Sequence, residues 1–254
     1  MQMLRRLVPA LVGLALLPVA GAHSQLRVAA AADLEPVLPP ILEQFEHATG
    51  IPAEATYEAS AMLTTQILNG APFDLFLSAD TGYPQRLVRE SAADSDAPVV
   101  YAKGTLVLWE RNDAGLPPPS IDLLRDPRLK RLAIANPERA PYGKAAVAAL
   151  EKLGLYDGLK PRLATAENIA QTAQFADSGN ADAGLISLTS ALTPRLKSAG
   201  SYFVIPRDLY PPIEQGAVVL SHSKQREAAH KLLNYLLSPP IQAELAKGGL
   251  TPVR

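Results

Sequence analysis

Short apolar runs alternate with segments of helical periodicity from residue 26 almost to the end of the chain. The run at residues 26–31 is followed by apolar residues at helical spacing, and Gly50 then ends the pattern. Similar apolar runs return at residues 74–78 and 131–135. This alternation predicts an α/β fold with mostly parallel strands, since a helix would carry the chain back after each strand.

Two local features refine this prediction. Pro36, Pro39 and Pro40 interrupt the first helical segment. Because a proline inside a helix costs about 3 kcal/mol, we expect one turn, a kink, and a helix that restarts near Pro40. Longer extended runs at residues 99–109 and 214–221 are predicted to carry the chain between two halves of the molecule.

The first 22 residues have the pattern of a secretory signal peptide. Arg5 and Arg6 precede an apolar run at residues 7–19, and the small triplet Ala-Gly-Ala follows at residues 20–22. The run is shorter than the ~20 residues needed to span a bilayer. We therefore predict a cleaved signal peptide at residues 1–22 and a soluble, exported protein that is not inserted in a membrane.

The composition excludes several classes of function. The sequence has 24 basic and 25 acidic residues, and 22 basic residues remain once Arg5 and Arg6 are removed. This balance gives no positive charge with which to hold nucleic acid or an anionic membrane. Cysteine is absent, which excludes disulfides, thiolate metal sites and a lipid-modified cysteine. These features favour a freely diffusing periplasmic protein.

The sequence carries no motif of a common enzyme class. Its four histidines have no metal-ligand spacing on a shared element. A G-x-x-x-x-G-K loop, a G-x-G-x-x-G turn after a strand and a G-x-S-x-G elbow are all missing from it. We therefore predict a protein that is not an enzyme and needs no cofactor.

Four predicted strand-to-helix junctions are rich in small or hydroxyl residues. They lie around Asp33, Ser60, Tyr142 and Ile169. The first N–H groups of a helix lack partners within it, and the helix dipole favours an anion there. If the four junctions converge on one cleft, they would form an anion site without lysine or arginine. If they do not, Asp33 and Ser60 simply cap their helices.

Three stretches of the sequence resemble the periplasmic molybdate-binding proteins of ABC transporters. They are VAAAADL at residues 28–34, APFDLFLSAD at residues 71–80 and NPERAPYGKAA at residues 136–146. The similarity runs in order as far as GLTP at residues 249–252.

The resemblance implies the two-lobed type II periplasmic binding protein fold. This is an α/β fold with mixed sheets flanked by helices and a ligand cleft between the lobes, which close by a hinge motion. It places lobe I at residues 25–102 and 211–254, and lobe II at residues 103–210.

The resemblance also implies a tetrahedral oxyanion that is held by neutral hydrogen-bond donors. Matched to this chain, the ligand-binding groups are the first loop at Ala32 and Asp33, the hydroxyls of Ser60 and Tyr142, and the backbone N–H of Ile169. These residues would reach the metal centre of the anion only through its oxygens.

Two positions depart from the family's pattern. The family has serine or asparagine at Asp33, and some members have tyrosine at Ser187, a hydroxyl that Tyr142 would replace. An ionised carboxylate only accepts hydrogen bonds and would repel a dianion. We expect the Asp33 side chain to cap its helix. The alternative is that it accepts a hydrogen bond from a protonated anion such as hydrogen phosphate or hydrogen arsenate.

The function predicted from the resemblance is that of a solute-binding protein. It would capture molybdate or tungstate and deliver it, as a monomer, to the permease of an ABC importer. One alternative is a binding protein for another oxyanion, of the phosphate, arsenate or sulfate type. A second alternative is a ligand-sensing module on the same fold.

Overall fold

The computed structural model describes residues 25–253. The predicted signal peptide at residues 1–22 lies outside this range. The strands are β1 (Leu26–Ala31), β2 (Ala53–Glu58), β3 (Leu75–Ser78), β4 (Val99–Gly104), β5 (Leu106–Arg111), β6 (Leu132–Ala135), β7 (Leu163–Ala166), β8 (Ala183–Ser187), β9 (Gly200–Val204) and β10 (Ile213–Val219). The helices are α1 (Leu38–Thr49), α2 (Ser60–Leu68), α3 (Gly82–Arg89), α4 (Pro141–Lys152), α5 (Tyr156–Leu159), α6 (Ile169–Ser178), α7 (Leu188–Ala191), α8 (Pro194–Ala199), α9 (Arg226–Leu236) and α10 (Pro239–Lys247).

The strands form two five-stranded mixed sheets. Their orders are β2-β1-β3-β10-β4 in the first sheet and β7-β6-β8-β5-β9 in the second. In each sheet two neighbouring pairs are parallel and two are antiparallel. The prediction of mostly parallel strands is therefore wrong for half of the pairs. The antiparallel pairs all involve β10 or β5, the strands by which the chain enters a sheet from the other half of the molecule.

The two sheets divide the molecule into two lobes, which confirms the predicted architecture. The chain leaves the first sheet at Thr105, one residue after β4, and returns to it at Ile213. The first lobe therefore takes its strands from both ends of the described chain. The exact boundaries at residues 102–103 and 210–211 stay a prediction, which these ranges support.

The entry to α1 follows the prediction made from its prolines. A single 3₁₀ turn (Ala32–Leu34) follows β1, and α1 begins at Leu38 with Pro39 and Pro40 in its first turn. A proline costs little there, because the first N–H groups of a helix have no partner within it. At the other end, Gly50 adopts the left-handed conformation (φ 72°) that a helix terminus often requires.

Each lobe buries its own apolar core. In the first lobe, the apolar face of α9 (Leu232, Leu236) packs with α10 and with strand residues such as Val28. In the second lobe, Tyr142 and Ile169 are buried in a core that also holds residues from the ends of the first-lobe strands. No helix within residues 25–253 is long and apolar enough to cross a membrane.

Candidate anion-binding site

All five residues predicted from the sequence line one small cavity between the lobes. Ala32, Asp33 and Ser60 come from the first lobe, and Tyr142 and Ile169 from the second. The cavity volume is about 10 Å³. Sites for drug-sized ligands usually measure ~300–1,000 Å³, so this cavity is far too small for such a ligand and suits only a small solute. The other lining residues are Ala31, Glu58, Ala59, Ala79, Ala140, Pro141 and Asn168.

The cavity lies where helices begin. α2 starts at Ser60, α4 at Pro141 and α6 at Ile169, and the 3₁₀ turn after β1 reaches the same place. The first N–H groups of each helix have no partner within that helix, so those not bonded elsewhere are available to an anion. Pro141 has no N–H, and the Ala61 N–H donates to the Arg139 carbonyl. Lysine and arginine are missing from the described residues that line the cavity. Any stabilisation of an anion there must come mainly from neutral dipoles.

Ser60 has a free hydroxyl proton at this cavity. Its side chain is buried, and its Oγ accepts a hydrogen bond from the Ala79 N–H at 3.1 Å. Since that bond uses an oxygen lone pair, the hydroxyl proton remains without an acceptor among the described residues. Ser60 does not cap α2, because it is the first residue of the helix and Ala59 occupies the cap position.

Ile169 is the first residue of α6, and its neighbour Asn168 caps the helix. The Asn168 Oδ1 accepts from the Gln171 N–H at 2.9 Å, and the Asn168 carbonyl accepts from the Thr172 N–H at 3.1 Å. The N–H of Ile169 takes no part in either bond, and Ile169 lines the cavity. The buried side chain of Ile169 anchors this end of the helix in the second-lobe core.

The expectation that the Asp33 side chain caps its helix is wrong. Asp33 lies within the 3₁₀ turn, whose N-terminal neighbour Ala31 occupies the cap position. The fully buried carboxylate instead accepts two long-range hydrogen bonds through Oδ2. One comes from the Tyr142 hydroxyl at 3.1 Å and the other from the Gln215 side-chain amide on β10.

The environment of Asp33 disfavours its charge. Burial raises the pKa of the carboxyl group from 3.8 to about 7, although the hydrogen bonds from Gln215 and Tyr142 act in the opposite direction. Two buried oxygens in this cluster have no partner among the described residues, the Asp33 Oδ1 and the Gln215 Oε1. Burial and the neighbouring Asp33 raise the pKa of Tyr142 well above its usual range, so this hydroxyl keeps its proton.

Tyr142 reaches the cavity, but its hydroxyl proton is directed at Asp33. Ser187, the other position that departs from the family's pattern, does not line the cavity. Its Oγ caps α7 by accepting from the Ser190 N–H at 3.2 Å, and it lies 2.9 Å from the Thr189 Oγ1. In this chain the Ser187 side chain therefore has a structural role in the second lobe.

Sequence reasoning missed Gln215 and Thr189. Thr189 donates its hydroxyl to the Asp33 carbonyl oxygen at 2.7 Å, which joins the second lobe to the first-lobe turn. Further bonds between the lobes run from the Ala61 N–H to the Arg139 carbonyl at 3.1 Å and from the Tyr83 hydroxyl to the Glu138 carbonyl at 3.3 Å. The lobes are thus in direct contact around the cavity.

A larger open groove lies at the opposite end of the first sheet, beside Arg27 and Asp74. Its buried carboxylate is fully engaged, since Asp74 accepts from the Arg27 N–H at 2.9 Å and from the Ser223 hydroxyl at 2.5 Å. Among the described residues that line this groove, helix N-termini from the two lobes do not meet. We therefore place the candidate site at the cavity between the lobes.

Comparisons with known proteins agree with this architecture. Residues 26–251 match the family model described as bacterial extracellular solute-binding protein. The molybdate-binding protein ModA of Azotobacter vinelandii is 39% identical over 93% of this chain and 93% of its own length. ModA of Rhodobacter capsulatus is 38% identical over 81% of this chain and 79% of its own length.

A comparison with solved structures also finds a molybdate-binding protein. The structure of the Azotobacter vinelandii periplasmic molybdate-binding protein superposes with a TM-score of 0.84 and 30% identity, covering 90% of this chain and 100% of that one. The resemblance predicted from the sequence and the two-lobed fold are both confirmed. The chain belongs to the bacterial extracellular solute-binding protein family, in the group that includes the ModA molybdate-binding proteins.

Proposed function

We propose that this protein is a periplasmic solute-binding protein that captures molybdate or tungstate and delivers it to an ABC importer. The observation that carries the proposal is the meeting of helix N-termini and the Ser60 hydroxyl, from both lobes, at one small cavity without a lining cation. The molybdate-binding names of its relatives support the choice of ligand. In this proposal Ala32, Asp33, Ser60, Tyr142 and Ile169 surround the anion.

Neutral donors are sufficient in energetic terms. A hydrogen bond to a charged group contributes ~1.5–3 kcal/mol, so five donors would contribute roughly 10 kcal/mol before the costs of ligand desolvation and lobe closure. Sub-micromolar affinity requires about 8 kcal/mol net. The site therefore does not need a counter-ion to bind a dianion tightly.

The same cavity would select its ligand by size. Contacts between the lobes fix the positions of donors from Ser60 and Ile169, so a smaller sulfate would not reach all of them at once. We also expect the protein to act as a monomer whose closed lobes are recognised by the permease. These steps depend on the closed arrangement in which Thr189 contacts the Asp33 backbone.

Titration calorimetry on the mature protein, freed of carried-over ligand by unfolding and refolding, tests the proposal. Molybdate and tungstate are expected to bind with sub-micromolar Kd, and sulfate and phosphate more than tenfold more weakly. A clear preference for phosphate or sulfate would contradict the choice of ligand. Failure of every oxyanion to bind would contradict the anion site itself.

One observation favours a second candidate ligand, a protonated anion such as hydrogen phosphate or hydrogen arsenate. The Asp33 Oδ1 is a buried acceptor without a partner among the described residues. An anion that carries an O–H would donate to it, whereas a bare dianion would not. Phosphate and arsenate therefore belong in the titration as full arms of the experiment.

A further inference from the structure

The cluster around Asp33 holds two buried acceptors without a donor among the described residues. The carboxyl oxygen Oδ1 and the amide oxygen Oε1 of Gln215 are both buried acceptors, and neither receives a hydrogen bond from the described residues. A buried acceptor without a donor costs ~1–3 kcal/mol. A proton on the Asp33 carboxyl would turn Oδ1 into a donor, while Oδ2 would keep its bonds from Tyr142 and Gln215.

Within residues 25–253, no cation hydrogen-bonds to the carboxylate from the elements packed around it. The residues that face it through side chains are Tyr142 from α4 and Gln215 from β10, while Tyr101 from β4 interacts with it more weakly. Thr189 from α7 bonds to its backbone carbonyl. The other carboxylate at the cavity is Glu58, at the end of β2.

Two lysines on neighbouring elements lie beside other carboxylates. Lys103 on β4 and Glu214 on β10 form an ion pair of 2.9 Å at half-exposed positions. Lys144 on α4 lies 3.9 Å from Asp80. An anion that enters the cavity would therefore meet an uncompensated buried carboxylate.

We propose that the dianion binds to the form of the protein in which Asp33 is protonated, so that one proton is taken up for each dianion wherever Asp33 is ionised in the free protein. This inference rests on the proposed function and adds to it a dependence on pH. The proton comes from solvent, converts the carboxylate to the neutral acid, and leaves Oδ1 as a donor toward an anion oxygen or toward the Gln215 Oε1. The repulsion between two negative groups is thereby removed.

The direction of the pH dependence follows from the pKa of Asp33, which burial raises to about 7. Below pH 7 the group is already protonated in the free protein, so binding needs no proton and affinity is flat. Above pH 7 the group is ionised in the free protein, and each bound dianion must bring a proton with it. Affinity for molybdate is therefore expected to fall about tenfold per pH unit above pH 7.

Calorimetry in pairs of buffers with different ionisation enthalpies measures the protons taken up. For the unmodified protein and molybdate, we expect about one proton at pH 8.5 and about a tenth of a proton at pH 6. Asp33→Asn should abolish the uptake, make the Kd independent of pH between 7 and 9, and bind molybdate about tenfold more tightly at pH 8. The matched control Glu35→Gln removes an exposed carboxylate two residues away and should keep the uptake.

The outcomes separate this inference from the proposed function. Tight molybdate binding without proton uptake at pH 8.5 overturns the inference and leaves the function intact. Uptake that persists in Asp33→Asn overturns it as well. If Asp33→Asn does not fold, the proton uptake of the unmodified protein at pH 6 and pH 8.5 still tests the inference. Absence of molybdate binding at either pH contradicts the proposed function instead.

Discussion

Replacing Gly104 with alanine should destabilise the protein by about 3 kcal/mol and weaken molybdate binding by at least a hundredfold. Gly104 ends β4, next to the change of sheet, and an added Cβ would overlap the Tyr142 hydroxyl and lie 2.9 Å from the Tyr142 Cζ. It would also lie 3.0 Å from the Ile213 side chain. Tyr142 is fully buried, so it cannot move aside without breaking its hydrogen bond to Asp33.

Gly158→Ala is the matched control for this change. Gly158 lies in α5, and a Cβ there would meet nothing within 4 Å. Chemical denaturation should give a free energy of unfolding for this control equal to or slightly above that of the unmodified protein, because alanine favours helices over glycine. A Gly104→Ala protein with unchanged stability and unchanged molybdate Kd would show that the contact between Gly104 and Tyr142 does not matter.

Several helix ends could be predicted from the sequence because their signals are local. Pro141 begins α4 and Gly50 ends α1, and both residue types mark helix ends for reasons of backbone geometry. The meeting of the junctions in one cavity did not follow from the pattern alone, and the family resemblance supplied it. The helix α3 was not predicted, since Gly82 and Pro84 obscure its pattern.

The environment of Asp33 could not be read from the sequence. Its partners lie 109 residues away at Tyr142 and 182 residues away at Gln215. A single glutamine within an extended run has no distinctive local pattern, so nothing pointed to Gln215. The local rule that aspartate caps a helix gave the wrong result here, because the tertiary contacts provide donors that the local turn does not.

The antiparallel pairs of β5 and β10 have a similar explanation. The alternation of strand and helix predicts parallel neighbours only where a helix connects them within one lobe. β5 follows β4 after the single residue Thr105, and it pairs with β8 and β9 in the other sheet. The crossing at residues 99–109 was predicted, but the neighbours of β5 are known only once the sheet to which each strand belongs is known.

The backbone N–H of Ile169 can be removed without breaking the helix that carries it. Proline lacks an N–H but is tolerated at the first position of a helix, which Ile169 occupies in α6. The preceding residue, Asn168, has φ −144° and ψ 178°, an extended conformation that is compatible with a following proline. Ile169→Pro is therefore a selective test of a backbone donor.

Ile169→Pro is expected to weaken molybdate binding between about tenfold and a hundredfold, since a hydrogen bond to a charged group contributes ~1.5–3 kcal/mol. Ile169→Val is the control, because it shortens the buried side chain and keeps the N–H; its Kd should stay within a fewfold of the unmodified value. Calorimetry gives both affinities, and circular dichroism with chemical denaturation shows whether both variants are folded. Equal affinities in two folded variants would mean that the Ile169 N–H does not bind the anion. A loss confined to Ile169→Pro would support the idea that helix N-termini replace positive charge at this site.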